Sequence, residues 1–232
     1  MRYNRNIVID GLGQEGQALL KASKVLVIGG GGLGSPALYY LAAAGIGTIG
    51  VIDYDTVDIT NLQRQIIHFT EDVGKPKVVS IREKLQALNP DINIITHNER
   101  FCNNNAEALI EPYDFILDCA DNYATKFLID DICVQLHKPY CHASVVAMQG
   151  EVMTYIPGNA CYRDVFGSPP DDAEAITSSQ VGILGAVAGI VGSIQATEAI
   201  KYITGIGELL VNRLLIVDGR TMGFQMLRVR KE

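Results

Sequence analysis

The chain has 232 residues, 48% of them hydrophobic and 19% charged, and a formal net charge of −7. That length suffices for one large domain with a substantial core, and the composition is that of a folded globular chain. The acidic balance argues against non-specific nucleic-acid binding and against docking on an anionic membrane.

Apolar runs of strand length alternate along the chain with helical patterns, which predicts an α/β fold built on a parallel sheet. Residues 1–23 precede the first strand and are expected to form a helical arm. Lys24–Gly29 is a β-branched run and reads as a strand, and Leu33–Ala44, rich in Ala and Leu, reads as a helix that stops at Gly45. Thr48–Asp53 is the next strand. Lys75–Leu88 has apolar residues at Val78, Val79, Ile81, Leu85 and Leu88, near helical spacing. Asp91–Thr96 and Phe115–Cys119 read as strands, Ala124–Leu136 as a helix, and Pro139–Val146 and Glu151–Tyr155 as two more strands. Residues 157–179 carry Pro, Gly, Asp and Ser and read as a long irregular loop, the kind that usually serves as a lid or binding segment. A Gly-rich helix is expected over Gly182–Thr204. A closing hairpin follows, Leu214–Asp218 and Met222–Val229 joined through Gly219-Arg220-Thr221. No linker or repeat divides the chain, so a single domain over 1–232 is expected.

Five cysteines, at 102, 119, 133, 141 and 161, form no CxxC pair. Three of them lie in apolar surroundings, which suits reduced buried thiols and a cytoplasmic location. Met1–Asn6 lacks the apolar core of a signal peptide. Val181–Ile194 is apolar, but it is interrupted by four glycines and is shorter than the roughly 20 residues that a bilayer span needs. No membrane association is expected.

The first strand runs into Gly29-Gly30-Gly31-Gly32-Leu33-Gly34, where Gly29, Gly31 and Gly34 fit GxGxxG between a strand and a helix. Glycines let the backbone turn sharply and approach a phosphate. The helix N-terminus supplies free N–H groups and a positive dipole end. Asp53 ends the second strand, where an acidic side chain can accept hydrogen bonds from ribose hydroxyls. These features indicate a nucleotide with an intact ribose and do not separate NAD from ATP.

Three further segments bear on that choice: Asp55–Gln65, Gly74–Lys77 and Leu117–Asn122. Ligands of open α/β sheets sit at the carboxyl ends of the strands, so these segments should converge near the glycine loop. They bring Arg64, Lys77 and Asp121 together, with Asn61 and Gln65 nearby. Two cations can neutralise charge that builds up as pyrophosphate leaves, and an aspartate can hold Mg²⁺ together with phosphate oxygens. That set suits attack of a carboxylate on the α-phosphorus of ATP, whereas hydride transfer has no use for it. Against this stand two plainer readings: Lys77 as a solvated helix residue, and Asp121-Asn122 as a cap for the next helix.

Taken in order, Arg2–Arg5, Gly29–Gly34, Asn61–Gln65, Gly74–Lys77, Asp118–Asn122 and Gly192–Lys201 resemble the ThiF/MoeB/HesA family, bacterial relatives of ubiquitin-activating enzymes, over nearly the whole chain. The resemblance implies a Rossmann-like nucleotide-binding fold, with a largely parallel sheet extended by antiparallel C-terminal strands and helices on both faces. It implies a nucleotide-binding half over 24–146 and a carrier-binding half over 147–232, with a crossover loop at about 157–179. It further implies a homodimer that uses ATP and Mg²⁺ to adenylate the Gly-Gly terminus of a ubiquitin-like sulfur-carrier protein. On that resemblance Gly29, Gly31, Gly32, Gly34, Asp53, Asp55, Asn61, Arg64, Gln65, Lys77, Asp121 and Asn122 bind the nucleotide. Arg64 and Lys77 meet phosphates, Asp121 binds the metal ion, and Arg5 serves the partner subunit's site.

The sequence departs from the family in two ways. Many members hold a structural zinc with two CxxC pairs, but here the first pair's position reads Cys161-Tyr162-Arg163-Asp164, with one thiol where a closed site needs four ligands. No zinc is expected. The loop position that often carries a cysteine is Ser179, whose hydroxyl does not readily ionise. Adenylation without a covalent enzyme–carrier step is therefore expected, with sulfur delivered by a separate sulfurtransferase. The alternatives are an NAD-dependent oxidoreductase, a relative acting on a non-protein carboxylate, and a catalytically silent partner-binding scaffold. The first leaves Arg64, Lys77 and Asp121 without a purpose.

Overall fold

In the computed structural model, which describes residues 2–169 and 181–231, the β-branched runs become strands. They are β1 (Lys24–Ile28), β2 (Thr48–Ile52), β3 (Asn93–His97), β4 (Phe115–Asp118), β5 (Tyr140–Val146), β6 (Gln149–Tyr155), β7 (Arg213–Asp218) and β8 (Gly223–Arg228). The helices are α1 (Asn4–Ile7), α2 (Gly13–Ala22), α3 (Gly34–Ala44), α4 (Lys77–Leu88), α5 (Ala106–Ile110), α6 (Tyr123–Gln135), α7 (Tyr162–Phe166) and α8 (Gly185–Thr204).

The strands form one sheet in the order β3-β2-β1-β4-β5-β6-β7-β8. Its β1–β5 part is parallel, and β6, β7 and β8 extend it antiparallel. Successive strand residues point to opposite faces, and both faces are covered. Val25, Val27, Ile49, Val51, Phe115 and Leu117 pack with α3, α4 and α8 on one side. Leu26, Ile28, Ile52, Ile116 and Tyr140 pack with α5 and α6 on the other. A parallel sheet covered on both sides needs continuous apolar strands instead of alternating ones, which is why β1 and β2 read as unbroken runs.

The helical arm expected over residues 1–23 appears as α1 and α2, and α2 packs its buried Leu20 into the first core. The glycines of α8 serve close packing: a Cβ on Gly192 would lie 2.3 Å from the Leu33 carbonyl oxygen at the start of α3. The hairpin β7–β8 forms as expected, and Asp218 accepts from Arg220 N–H at 2.8 Å across its turn.

Two expectations change. Residues 106–110, left without an element, form α5, and residues 162–166, expected to be irregular, form α7. Asp130 on α6 accepts from the first free N–H groups of α7, at Tyr162 and Arg163. A short helix gains most of its stability from such tertiary partners, and local sequence does not display them. Residues 170–179 of the expected crossover loop, including Ser179, lie outside the described residues. No described helix is long and apolar enough to cross a membrane. All five cysteines are free, and Cys119, Cys133 and Cys141 are buried.

Candidate functional site

From β1 the chain moves outward through β2 to β3, then returns to the other side of β1 to make β4. This reversal opens a crevice at the carboxyl ends of β1 and β4, the usual ligand position in such sheets.

The glycine loop enters that crevice directly after β1, and its glycines divide the work. Gly29 has φ +101°, and a Cβ there would lie 2.6 Å from the Cys119 carbonyl oxygen. A Cβ on Gly34 would lie 2.1 Å from the Gly29 carbonyl oxygen. Bare Cα atoms at these two positions let loop, helix and β4 close on one another. Gly31 and Gly32 instead line the crevice with space beside them, the nearest atoms to an added Cβ being 3.5 Å away. Asp53, just past β2, fixes the loop: its carboxylate accepts from Gly30 N–H at 2.8 Å and from Asp55 N–H at 2.9 Å. Burial pushes its pKa up, against the pull of the Lys77 charge.

Lys77 opens α4 and is only 5% exposed, so it is not a solvated helix residue. Its Nζ donates to Asp55 at 2.7 Å, and its backbone N–H donates to the Asp55 carbonyl at 2.9 Å. Arg64 follows a 3₁₀ turn over Ile59–Asn61 and donates from Nη1 to the Thr60 carbonyl at 3.1 Å. Gln65 is buried against Gly31, and its Oε1 has no hydrogen-bond partner among the described residues. On the β4 side, Asp121 is exposed at the crevice. Asn122 caps α6, accepting from Thr125 N–H at 2.9 Å, and still faces the crevice.

One cavity thus gathers Gly29, Gly31, Gly32, Asp53, Asp55, Arg64, Gln65, Lys77, Asp121 and Asn122. Three expected residues stand apart from its lining. Asn61 spends its side chain on its own turn, accepting from Asp58 N–H at 3.1 Å. Gly34 acts behind the loop, and Arg5 is exposed on α1. Among the described residues no group of three or more His, Cys, Asp or Glu side chains is arranged to hold a metal ion.

Sequence reasoning missed a buried ionic cluster at the floor of the cavity. Lys126 on α6 donates to both Asp118 oxygens, at 3.1 and 3.2 Å, and to the Ala143 carbonyl at 2.6 Å. His142 Nδ1 lies 2.7 Å from Asp118 Oδ2. Burial opposes ionisation of Asp118, but Lys126 and His142 outweigh it and hold the carboxyl below its usual range. The available signal was a lysine inside a helix whose neighbours Phe127 and Ile129 are core residues. The cavity walls also include Tyr54, Arg100, Phe101, Val145, Val146 and Ile183.

A family model described as the ThiF family matches residues 3–232. The chain is 44% identical over 230 residues to the adenylyltransferase and sulfurtransferase MOCS3 of Anopheles gambiae, covering 99% of this chain and 52% of that protein. It is also 44% identical over 236 residues to the probable adenylyltransferase/sulfurtransferase MoeZ of Mycobacterium tuberculosis, covering all of this chain and 60% of that protein. The chain therefore spans little more than half the length of these curated relatives. The fold matches that of E. coli MccB crystallised with succinimide, with a TM-score of 0.89 at 24% identity, over all of this chain and 72% of that one.

Proposed function

Because this chain belongs to the ThiF family, we propose that it is an ATP-dependent adenylyltransferase. Its substrate is the C-terminal Gly-Gly carboxylate of a small ubiquitin-like sulfur-carrier protein, which leaves as an acyl-adenylate while pyrophosphate is released. The carrying observation is the convergence of a glycine loop, two cations and an acidic side chain on one cavity at the sheet's switch point.

The residues fit a nucleoside triphosphate. Gly31 and Gly32 leave room for backbone–phosphate approach. Gln65 offers a buried amide oxygen that lacks a donor among the described residues, a state native proteins seldom leave unmet. Asp53, which already accepts from Gly30 of the loop and from Asp55, has lone pairs left for ribose hydroxyls. Lys77 and Arg64 neutralise charge on the phosphates. Lys77 is held ready by Asp55, so it loses little side-chain freedom on binding. Asp121 is the residue that would hold Mg²⁺, which supplies further neutralisation of the phosphate oxygens. Rate comes from positioning and charge stabilisation, since no side chain need bond covalently to the substrate.

The carrier's tail would enter where Ile183 of the half 147–232 faces Val145 and Val146 at the end of the half 24–146. A homodimer is supported by an exposed apolar surface where Tyr40, Ile66 and Phe224 are each more than half exposed and flank the small residues Ala186, Gly189 and Ser193 of α8. In that dimer Arg5 would reach the other subunit's cavity. A solution mass equal to one chain would remove this element. The free thiols suit the cytoplasm. Sulfur delivery belongs to a separate sulfurtransferase, since Ser179 occupies the position of the family's loop cysteine.

ATP–pyrophosphate exchange with Mg²⁺ and candidate carriers tests the reading. Exchange should require the carrier's terminal glycine and should vanish in Arg64→Ala and Asp121→Ala while their melting transitions stay unchanged. Exchange without any carrier, or unfolding of both variants, would count against it.

A further inference from the structure

Asp121 sits in the short connection Cys119–Asn122 between β4 and α6, and both ends of that connection are tied to one buried ion pair. At the β4 end, the Asp118 carboxylate accepts from Ala120 N–H at 3.1 Å, one residue before Asp121. At the α6 end, Lys126 stands four residues beyond the cap Asn122 and returns its ammonium to the same carboxylate. The ion pair therefore closes the connection into a small ring. Lys126 also donates to Ala143 on β5, while Gln195 on α8 donates to the Asp118 carbonyl at 2.8 Å, so the ring is fixed to two neighbouring elements. Lys126 lines the cavity, yet its three donors are spent on Asp118 and Ala143. It has none left for a ligand. A buried ion pair is a poor source of stability compared with apolar side chains of similar volume, and its retention needs another reason.

We infer that Lys126 is a positioning residue: by gripping Asp118 it fixes the backbone on either side of Asp121 and so aims that carboxylate at the metal-bearing end of the bound phosphates. The inference rests on the reading of Asp121 as the Mg²⁺ residue.

The test is calorimetric ATP binding by the full chain, with Mg²⁺ and with chelator, alongside thermal melting. Lys126→Met alone would leave a buried carboxylate without its ammonium partner, so the informative variant is Asp118→Asn/Lys126→Met, in which both charges are removed together. In the unaltered protein Mg²⁺ should tighten ATP binding about tenfold, a usual strength of coupling between two ligands. The double variant should melt cooperatively and bind ATP in chelator as the parent does. Its Mg²⁺ enhancement should fall to within about threefold of none, a coupling below that usual range. Full enhancement in the double variant overturns the inference, as does an equal loss of ATP affinity in both conditions. A double variant without a cooperative melt makes the pair a folding element and overturns it as well. An unaltered protein without any Mg²⁺ enhancement overturns the Asp121 reading itself, an outcome distinct from the other three.

Discussion

Exchanging single glycines of the nucleotide loop for alanine should separate those that shape the backbone from those that face the ligand. In Gly34→Ala the new Cβ would stand 2.1 Å from the Gly29 carbonyl oxygen. Real Cβ atoms do not approach backbone oxygens below about 3 Å, so the loop must move by roughly 1 Å against a packed core. Overpacking of this kind costs about 1–3 kcal/mol, and better helix propensity at the start of α3 returns up to about 1 kcal/mol of it. At mid-range the net is about 1.5 kcal/mol, which lowers Tm by roughly 3–6 °C in a chain of this size. In Gly32→Ala the nearest neighbours, Ala188 Cβ and Arg64 Cγ, are both 3.5 Å away, an ordinary contact. Stability should then stay within about 0.5 kcal/mol of the parent, while ATP affinity falls because the methyl group occupies the phosphate approach. Differential scanning calorimetry and ATP titration of both variants read the two effects. Equal melting temperatures for the two variants, or undiminished ATP binding by Gly32→Ala, would refute this division of roles.

Two further outcomes follow from local chemistry. His68 is buried, and burial together with the Lys77 charge lowers its pKa from 6.5 to about 4. It is neutral in both states above pH 6.5. Between that value and about 4 only the unfolded chain takes the proton, so stability falls as the pH drops, by about 2 kcal/mol at pH 5. Urea unfolding at pH 7 and pH 5 should show this loss, and His68→Gln should flatten the dependence; parallel profiles for the two proteins would rule it out. Asn122 caps α6 through Thr125 N–H, so Asn122→Ala should cost about 1 kcal/mol, a drop of roughly 2–4 °C in Tm, whereas Asn122→Asp keeps the cap. Exchange activity lost from the alanine variant without any fall in Tm would show that its ligand contact outweighs the cap.

Much of the fold was legible in the sequence because the deciding forces act over a few residues. A β-branched run followed by glycines and an Ala-rich helix specifies strand, tight turn and helix locally. Asp53 needed only its position after the second strand. The strand boundaries differ from the expected ones by one or two residues, as fraying ends do, and α5 and α7 carry little local signal because partners elsewhere in the chain stabilise them.

The site divides along the same line. Residue type and spacing identified Lys77 and Arg64 as candidates, but only the folded chain shows Lys77 buried and held by Asp55, and Asn61 turned into its own 3₁₀ cap. Beyond a lysine set among core residues of a helix, the Asp118–Lys126–His142 cluster left no sign in the sequence, because its members are joined by the β4–β5 register that sets Asp118 beside His142 and by one turn of α6. The sequence by itself determined the glycine loop, the strand ends and the charged residues near them, since these depend on backbone conformation and local polarity. Only the tertiary structure decided which of those charges are buried, paired and aimed into the cavity, because burial and pairing arise between segments that meet only once the sheet has formed.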